Sequence, residues 1–150
     1  MTIEVRTADP KSKEGTALLT ASHAYLASLY PPEHMFALSI EELCTPSITF
    51  WIAWDGAEPL GCVALARKCG YAEVKSMFVD PAKRGRGAGE ALVTALDAAA
   101  RAEGITKLCL ETGDDLYPAH RLYRRLGFKD CGPFGDYADG PHSVFMEKPL

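Results

Sequence analysis

Apolar and polar residues alternate through residues 2–7, and that period of two predicts a first strand. Residues 16–30 read as a helix that Pro31-Pro32 stops, because proline lacks the N–H that would continue it. Ser39-x-x-Glu42 has the form of a capping box and opens a short second helix closed by Thr45-Pro46. Two strands follow, 48–54 and 60–68, joined through Asp55-Gly56 and Glu58-Pro59 turn chemistry. Residues 72–79 form a further strand that Asp80-Pro81 terminates, and 90–103 a helix rich in Ala and Leu that Gly104 ends. Then come a strand at 106–112, a helix at 118–126, a short strand to Cys131 after the Gly127-Phe128 turn, and a last strand at 143–148. The order β-α-α-β-β-β-α-β-α-β-β implies a mixed sheet in an α/β domain. With no repeat, linker or low-complexity block, one domain over residues 1–150 is expected.

The junction between the fourth strand and the Ala-rich helix carries the clearest chemistry. It reads Asp80-Pro81-Ala82-Lys83-Arg84-Gly85-Arg86-Gly87-Ala88-Gly89. A helix N-terminus presents unpaired N–H groups and partial positive charge. Three glycines let a ligand approach the backbone, and three cationic side chains add formal charge, so the segment suits a phosphate or diphosphate. It is not a P-loop, since no Gly-Lys-Ser/Thr follows, and the glycines at 85, 87 and 89 do not fit the dinucleotide fingerprint.

Composition narrows the surroundings. A net charge of −4 gives no broad attraction to nucleic acid, so the basic cluster is a local device. No apolar run approaches the ~20 residues that cross a bilayer, and no leader pattern opens the chain, which makes a cytoplasmic setting without a membrane partner the expectation. The five cysteines form no C-x-x-C pair or zinc spacing, so no metal is expected. Cys62 and Cys109 read as small buried hydrophobes. Trp51 and Trp54 read as core and edge packing, His34 as a solvated loop histidine, His120 as a surface position, and Arg124 and Arg125 as a solvated helix face.

Read as Arg84-Gly85-Arg86-Gly87-Ala88-Gly89, the loop matches Arg/Gln-x-x-Gly-x-Gly/Ala and so resembles the diphosphate loop of the GNAT family of N-acetyltransferases. Tyr71 to Val79 is similar to that family's fourth strand, Leu108-Cys109-Leu110-Glu111-Thr112 to its fifth, and Ala119-x-x-Leu122-Tyr123-x-x-x-Gly127-Phe128 to its A-x-x-L-Y-x-x-x-G-F segment. The resemblance spans nearly the whole chain, and in its N- and C-terminal parts it extends to a group of uncharacterised bacterial acetyltransferases. It implies a mixed, mostly antiparallel sheet flanked by helices, with the fourth and fifth strands splayed to admit acetyl-CoA as co-substrate.

The resemblance also implies roles. Backbone of Arg84, Gly85, Arg86, Gly87, Ala88 and Gly89 would hold the diphosphate, and main chain of Met77, Phe78 and Val79 the pantetheine arm. An N–H at or beside Val79 would face the developing oxyanion. Tyr123 would protonate the leaving thiolate, and Glu73 would take the proton of the attacking amine, with ordered water as the other possibility. Many relatives bind the pantetheine arm through Asn seven positions before the tyrosine; here that position is Leu116, which leaves Tyr117 or a backbone group to substitute. The acceptor would enter between residues 25–43 and 133–145, where Tyr30, His34, Phe36, Phe134 and Tyr137 are candidate contacts. The resulting expectation is acetyl transfer to a primary amine of a small molecule by direct attack in a ternary complex, with a homodimer possible. Protein or peptide N-acetylation and a non-catalytic acyl-CoA sensor are the other readings.

Overall fold

The computed structural model describes residues 2–150, arranged as one seven-stranded sheet with helices on both faces. In chain order the elements are β1 (Ile3–Thr7), α1 (Lys13–Leu29), α2 (Ile40–Leu43), β2 (Ile48–Asp55), β3 (Glu58–Arg67), β4 (Ala72–Val79), α3 (Ala88–Ala102), β5 (Lys107–Gly113), α4 (Tyr117–Arg125), β6 (Lys129–Cys131) and β7 (Ser143–Pro149). Single 3₁₀ turns at Pro32–His34 and Pro81–Lys83 each begin on a proline, just after α1 and β4 end. The strand order is β1-β2-β3-β4-β5-β7-β6, and only β4 and β5 run parallel. No helix among the described residues is long and apolar enough to cross a membrane.

Element types and order follow the hydrophobic pattern, while ends shift by a few residues for local reasons. Helix α1 starts at Lys13 rather than residue 16 because Ser12 caps it, its hydroxyl accepting from the Gly15 N–H. Gly15 stands in that first turn because a Cβ there would lie 3.1 Å from the Pro10 carbonyl and closer still to Asp9 and Ser12. Strand β3 takes in Pro59, paired with Trp54 beside a register shift at Ala53/Trp54 that skips Leu60. The capping box forms as the sequence implies, with Ser39 and Glu42 each bonding the other's backbone N–H.

Two apolar layers sandwich the sheet. Leu92, Val93, Leu96 and Ala100 of α3, with Tyr123 of α4, cover one face over Val63, Leu65, Val74, Leu108 and Leu110. Leu18 and Leu19 of α1, with Leu43 of α2, cover the other over Phe50, Ile52, Cys62 and Phe78. Trp51 and both internal cysteines, Cys62 and Cys109, lie in this core, and Trp54 is half-buried beneath the Arg6 guanidinium.

Strand β4 is irregular, and that irregularity places the site. Its α3-facing residues are 72 and 74, then 77 and 79, so the alternation slips by one across Ser76. Opposite it, Cys62 pairs with Phe78 but Ala64 pairs with Lys75, the signature of a β-bulge. Pairing with β5 stops after Ala72, Glu73 and Val74. From Lys75 onward, β4 therefore has no β5 neighbour.

Beyond the bulge β4 is pressed against β3. A Cβ on Gly61 would collide with the Phe78 carbonyl and lie 3.0 Å from the Val79 Cα. Gly61→Ala is expected to destabilise the protein by roughly 1–3 kcal/mol through overpacking. Urea unfolding checks this, and an unchanged midpoint would show that β4 can yield there.

Candidate active site

Where β4 and β5 part, two cavities open and meet. The larger, about 340 Å³, runs between α1, the end of β4, the N-terminus of α3 and α4. The smaller, about 110 Å³, lies between α1, the segment after it, β4 and β5. Ser22, Leu26, Met77 and Leu116 line both, so these four residues mark the junction.

The larger cavity is built for an anion at one end. Gly87 is the N-cap of α3 with φ of 90°, and no side chain caps the helix, so its first-turn N–H groups are free of side-chain partners. Gly85 is also left-handed, with φ of 83°. Gly85, Gly87, Ala88 and Gly89 line the cavity together with Arg84, whose guanidinium lies 5.5 Å from the centre of the Tyr25 ring. A side chain on Gly89 would press into Leu122 and Met77 at 3.0 and 3.1 Å, so glycine keeps this floor open. Met77, Phe78 and Val79 form the opposite wall.

Two cations sit differently from the sequence expectation. The Arg86 guanidinium turns away to Glu58 at 2.8 Å, and Lys83 is held by the Pro59 carbonyl at 2.9 Å, near Glu58 and Asp80. Arg124 and Arg125 both stay exposed, as a solvated helix face requires; Arg124 pairs with Asp130, and Arg125, beside Glu90, also reaches the rim of the larger cavity. Tyr117 is 60% exposed and lines neither cavity; Leu116 occupies the wall instead.

The smaller cavity holds the titratable chemistry. Tyr123 reaches it from α4, 4% exposed, with its ring against Phe128. Burial, and then the Glu111 charge, push its phenol well above the usual range, so it stays protonated. Glu111 lines the same cavity and accepts from the Ser143 hydroxyl at 2.8 Å. Burial raises its pKa, against the lowering pull of Ser143 and Lys75 and with a further raising push from Glu73. Tyr30, His34 and Phe36 also line this cavity, with His142. The Tyr30 hydroxyl donates to Asp115, and its ring occupies the space that any side chain on Gly113 would fill.

Glu73 lies behind this surface rather than on it. It is 4% exposed, lines neither cavity, accepts from the Tyr137 hydroxyl at 2.6 Å and pairs with Lys75 at 3.3 Å. Lys75 also donates to Tyr137 and to the Phe36 carbonyl, both at 2.9 Å. Phe134 belongs to an aromatic cluster with Tyr71, Tyr137 and Phe145, away from both cavities. His120 is a correction to the surface reading. It is 5% exposed, with its Nε2 2.7 Å from the Gly113 carbonyl, because α4 turns that face toward the end of β5.

Residues 46–130 match the family profile described as an acetyltransferase (GNAT) domain. The chain belongs to the GNAT N-acetyltransferases. It is 46% identical to an IAA acetyltransferase of Azospirillum brasilense over 84% of each chain. To the N-acetyltransferase YsnE of Bacillus subtilis, described as uncharacterized, it is 34% identical over 99% of this chain and all of that one. A crystal structure from Klebsiella pneumoniae, described as an acyl-CoA N-acyltransferase, superposes with a TM-score of 0.83 at 32% identity over 99% and 98% of the two chains.

Within this GNAT enzyme, sequence reasoning missed Glu111, Arg125 and Ser76. Glu111 carried a usable signal, a carboxylate inside an otherwise apolar strand that has to face either solvent or a site. Gly87→Val forces a β-branched residue to a left-handed φ where the nearest side chain is 4.0 Å away. The fold is expected to survive with a loss of roughly 1–3 kcal/mol, while acetyl-CoA affinity falls at least about tenfold as the side chain crowds the N–H groups. Calorimetric titration checks this, and unaltered affinity in the folded variant places the diphosphate elsewhere.

Proposed function

We propose that this GNAT enzyme transfers acetyl from acetyl-CoA to a primary amine of a small molecule, by direct attack in a ternary complex. The observation that carries the reading is the meeting of the two cavities at the β4–β5 split. One ends on the open N-terminus of α3, and the other holds Tyr123 and Glu111. Diphosphate would bind the loop from Arg84 to Gly89, and the thioester would lie at the junction beside Met77. None of the cysteines lines either cavity among the described residues, which supports direct attack over an acyl-enzyme. An acceptor cavity of about 110 Å³ suits a small amine better than a folded protein surface, and the Azospirillum relative is named for one small acceptor.

In this reading Glu111 takes a proton from the bound ammonium, and the neutral nitrogen attacks the thioester carbonyl carbon. As the tetrahedral intermediate collapses, the C–S bond breaks, sulfur gains a proton from Tyr123, and the second proton lost by nitrogen restores the Tyr123 phenol. One net proton leaves through Glu111. The two steps are coupled: protonating Glu111 removes the smaller of the two pushes on the Tyr123 phenol, burial remaining the larger. Glu73 is the competing base, and its hold on Lys75 and Tyr137 fixes the wall next to Glu111.

The first test is titration with acetyl-CoA and with dephosphorylated pantetheine, followed by thiol release across an amine panel. Binding that needs the diphosphate, with release for one amine class, supports the reading. Binding with turnover only on peptides moves the acceptor to protein, binding without any turnover indicates a sensor, and no binding removes it. Tyr123→Phe is expected to lower kcat roughly 10²-fold or more with near-normal acetyl-CoA affinity.

The pH profile distinguishes the carboxylates. Only the deprotonated base accepts a proton, so kcat/KM rises with pH through its pKa, and burial of Glu111 moves that limb above the ordinary carboxylate range. Glu111→Gln should erase the limb and Glu73→Gln should keep it; the reverse pattern assigns the base to Glu73.

A further inference from the structure

Ser76 combines two features that each work against stability. Its φ is 55°, the one non-glycine residue with a left-handed backbone among those described. Its hydroxyl oxygen is buried, and among the described residues it is the only such side-chain atom without a hydrogen-bond partner. Glycine would relieve the backbone strain, and alanine would remove the orphaned hydroxyl. Serine does neither. Its backbone is also fixed, since the Cys62 thiol donates to the Ser76 carbonyl at 3.4 Å and the bulge sets the register on either side.

The placement bears on what the hydroxyl could serve. Ser76 lines the smaller cavity with Glu111 and Tyr123, and its neighbour Met77 lies at the junction. A serine oxygen offers two acceptor positions and one donor. The neutral primary amine that attacks has two N–H groups, one to lose and one to keep. With Glu111 accepting one, a second acceptor is needed to turn the nitrogen lone pair toward the thioester.

We propose that the Ser76 hydroxyl accepts a hydrogen bond from the acceptor amine and orients it for attack. Ser76 is thus a substrate contact that gains its missing partner only when the acceptor is bound, an assignment that rests on the amine acetylation described above. It predicts preference for primary over secondary amines, because a secondary amine gives up the N–H that Ser76 holds.

The test compares wild type with Ser76→Ala and Ser76→Gly. It reads thiol release on primary amines and their N-methyl counterparts, acetyl-CoA affinity by calorimetry, and the unfolding midpoint. Ser76→Ala should lower kcat/KM for the primary amine roughly 10- to 100-fold and narrow the gap to the N-methyl amine. Acetyl-CoA affinity should be unchanged and the unfolding midpoint equal or higher. Ser76→Gly, free of the backbone strain, should lose activity equally, which separates the hydroxyl from the bulge. Undiminished kcat/KM in a folded Ser76→Ala overturns the assignment while leaving amine acetylation intact. A wild type that binds acetyl-CoA but acetylates no primary amine overturns both. Full activity in Ser76→Gly shows that only the backbone shape matters and overturns it as well.

Discussion

Everything functional here depends on β4 losing its parallel partner after three residue pairs. A strand in mid-sheet ordinarily has its N–H and C=O groups satisfied on both edges, and leaving one edge open inside a protein is costly unless something else bonds there. The chain manages this with a bulge at Ser76 that bends β4 away from β5 while keeping it on β3. The gap is then closed in by α1 on one face and by α3 and α4 on the other. In the proposed reading, an extended ligand with amide groups of its own, such as a pantetheine arm, would supply what the missing strand would have supplied.

The smaller cavity, the proposed acceptor side, is held by a buried charge cluster rather than by apolar packing. Lys75 joins three separate parts of the chain: Glu73 on its own strand, the Phe36 carbonyl after α1, and Tyr137 before β7. A buried ammonium is tolerated only with its charge and donors answered, and here two hydrogen bonds and the Glu73 ion pair do so. Because breaking one bond strands a charge, the cluster resists loosening more strongly than a greasy contact of the same size. It pins both loops that frame the smaller cavity, and Tyr30, bonded to Asp115 and seated on Gly113, fixes the far wall.

On the cofactor side the decisive charges belong to the backbone. Lys83 and Arg86 look like diphosphate ligands in the sequence, but Glu58, Asp80 and the Pro59 carbonyl take them up. They brace the loop against the β2–β3 turn so that Gly85 and Gly87 hold their left-handed shapes. What remains for an anion is the uncapped helix start, with Arg84 and Arg125 at its margins. In a chain of net charge −4, such a local field selects a ligand by fit more than by long-range attraction.

The sequence by itself determined the elements, their order and the loop before α3, because those depend on short-range patterns: apolar period, proline stops, capping residues and glycines that only left-handed turns require. It could not rank Glu73 against Glu111, since both are carboxylates on strands and only the splay of β4 from β5 decides which one faces a cavity. For the same reason it misjudged His120, whose exposure depends on how α4 is rotated against the end of β5. Tyr117 and Leu116 are neighbours in sequence, yet the packing of α4 puts the leucine on the wall and the tyrosine outside. Ser76 was invisible because a bulge is a mismatch between two strands, and neither strand's residues encode it alone. Chemistry that resides in one segment was legible; chemistry that arises where four segments meet was settled by tertiary packing, which fixes burial, facing and partner for each group.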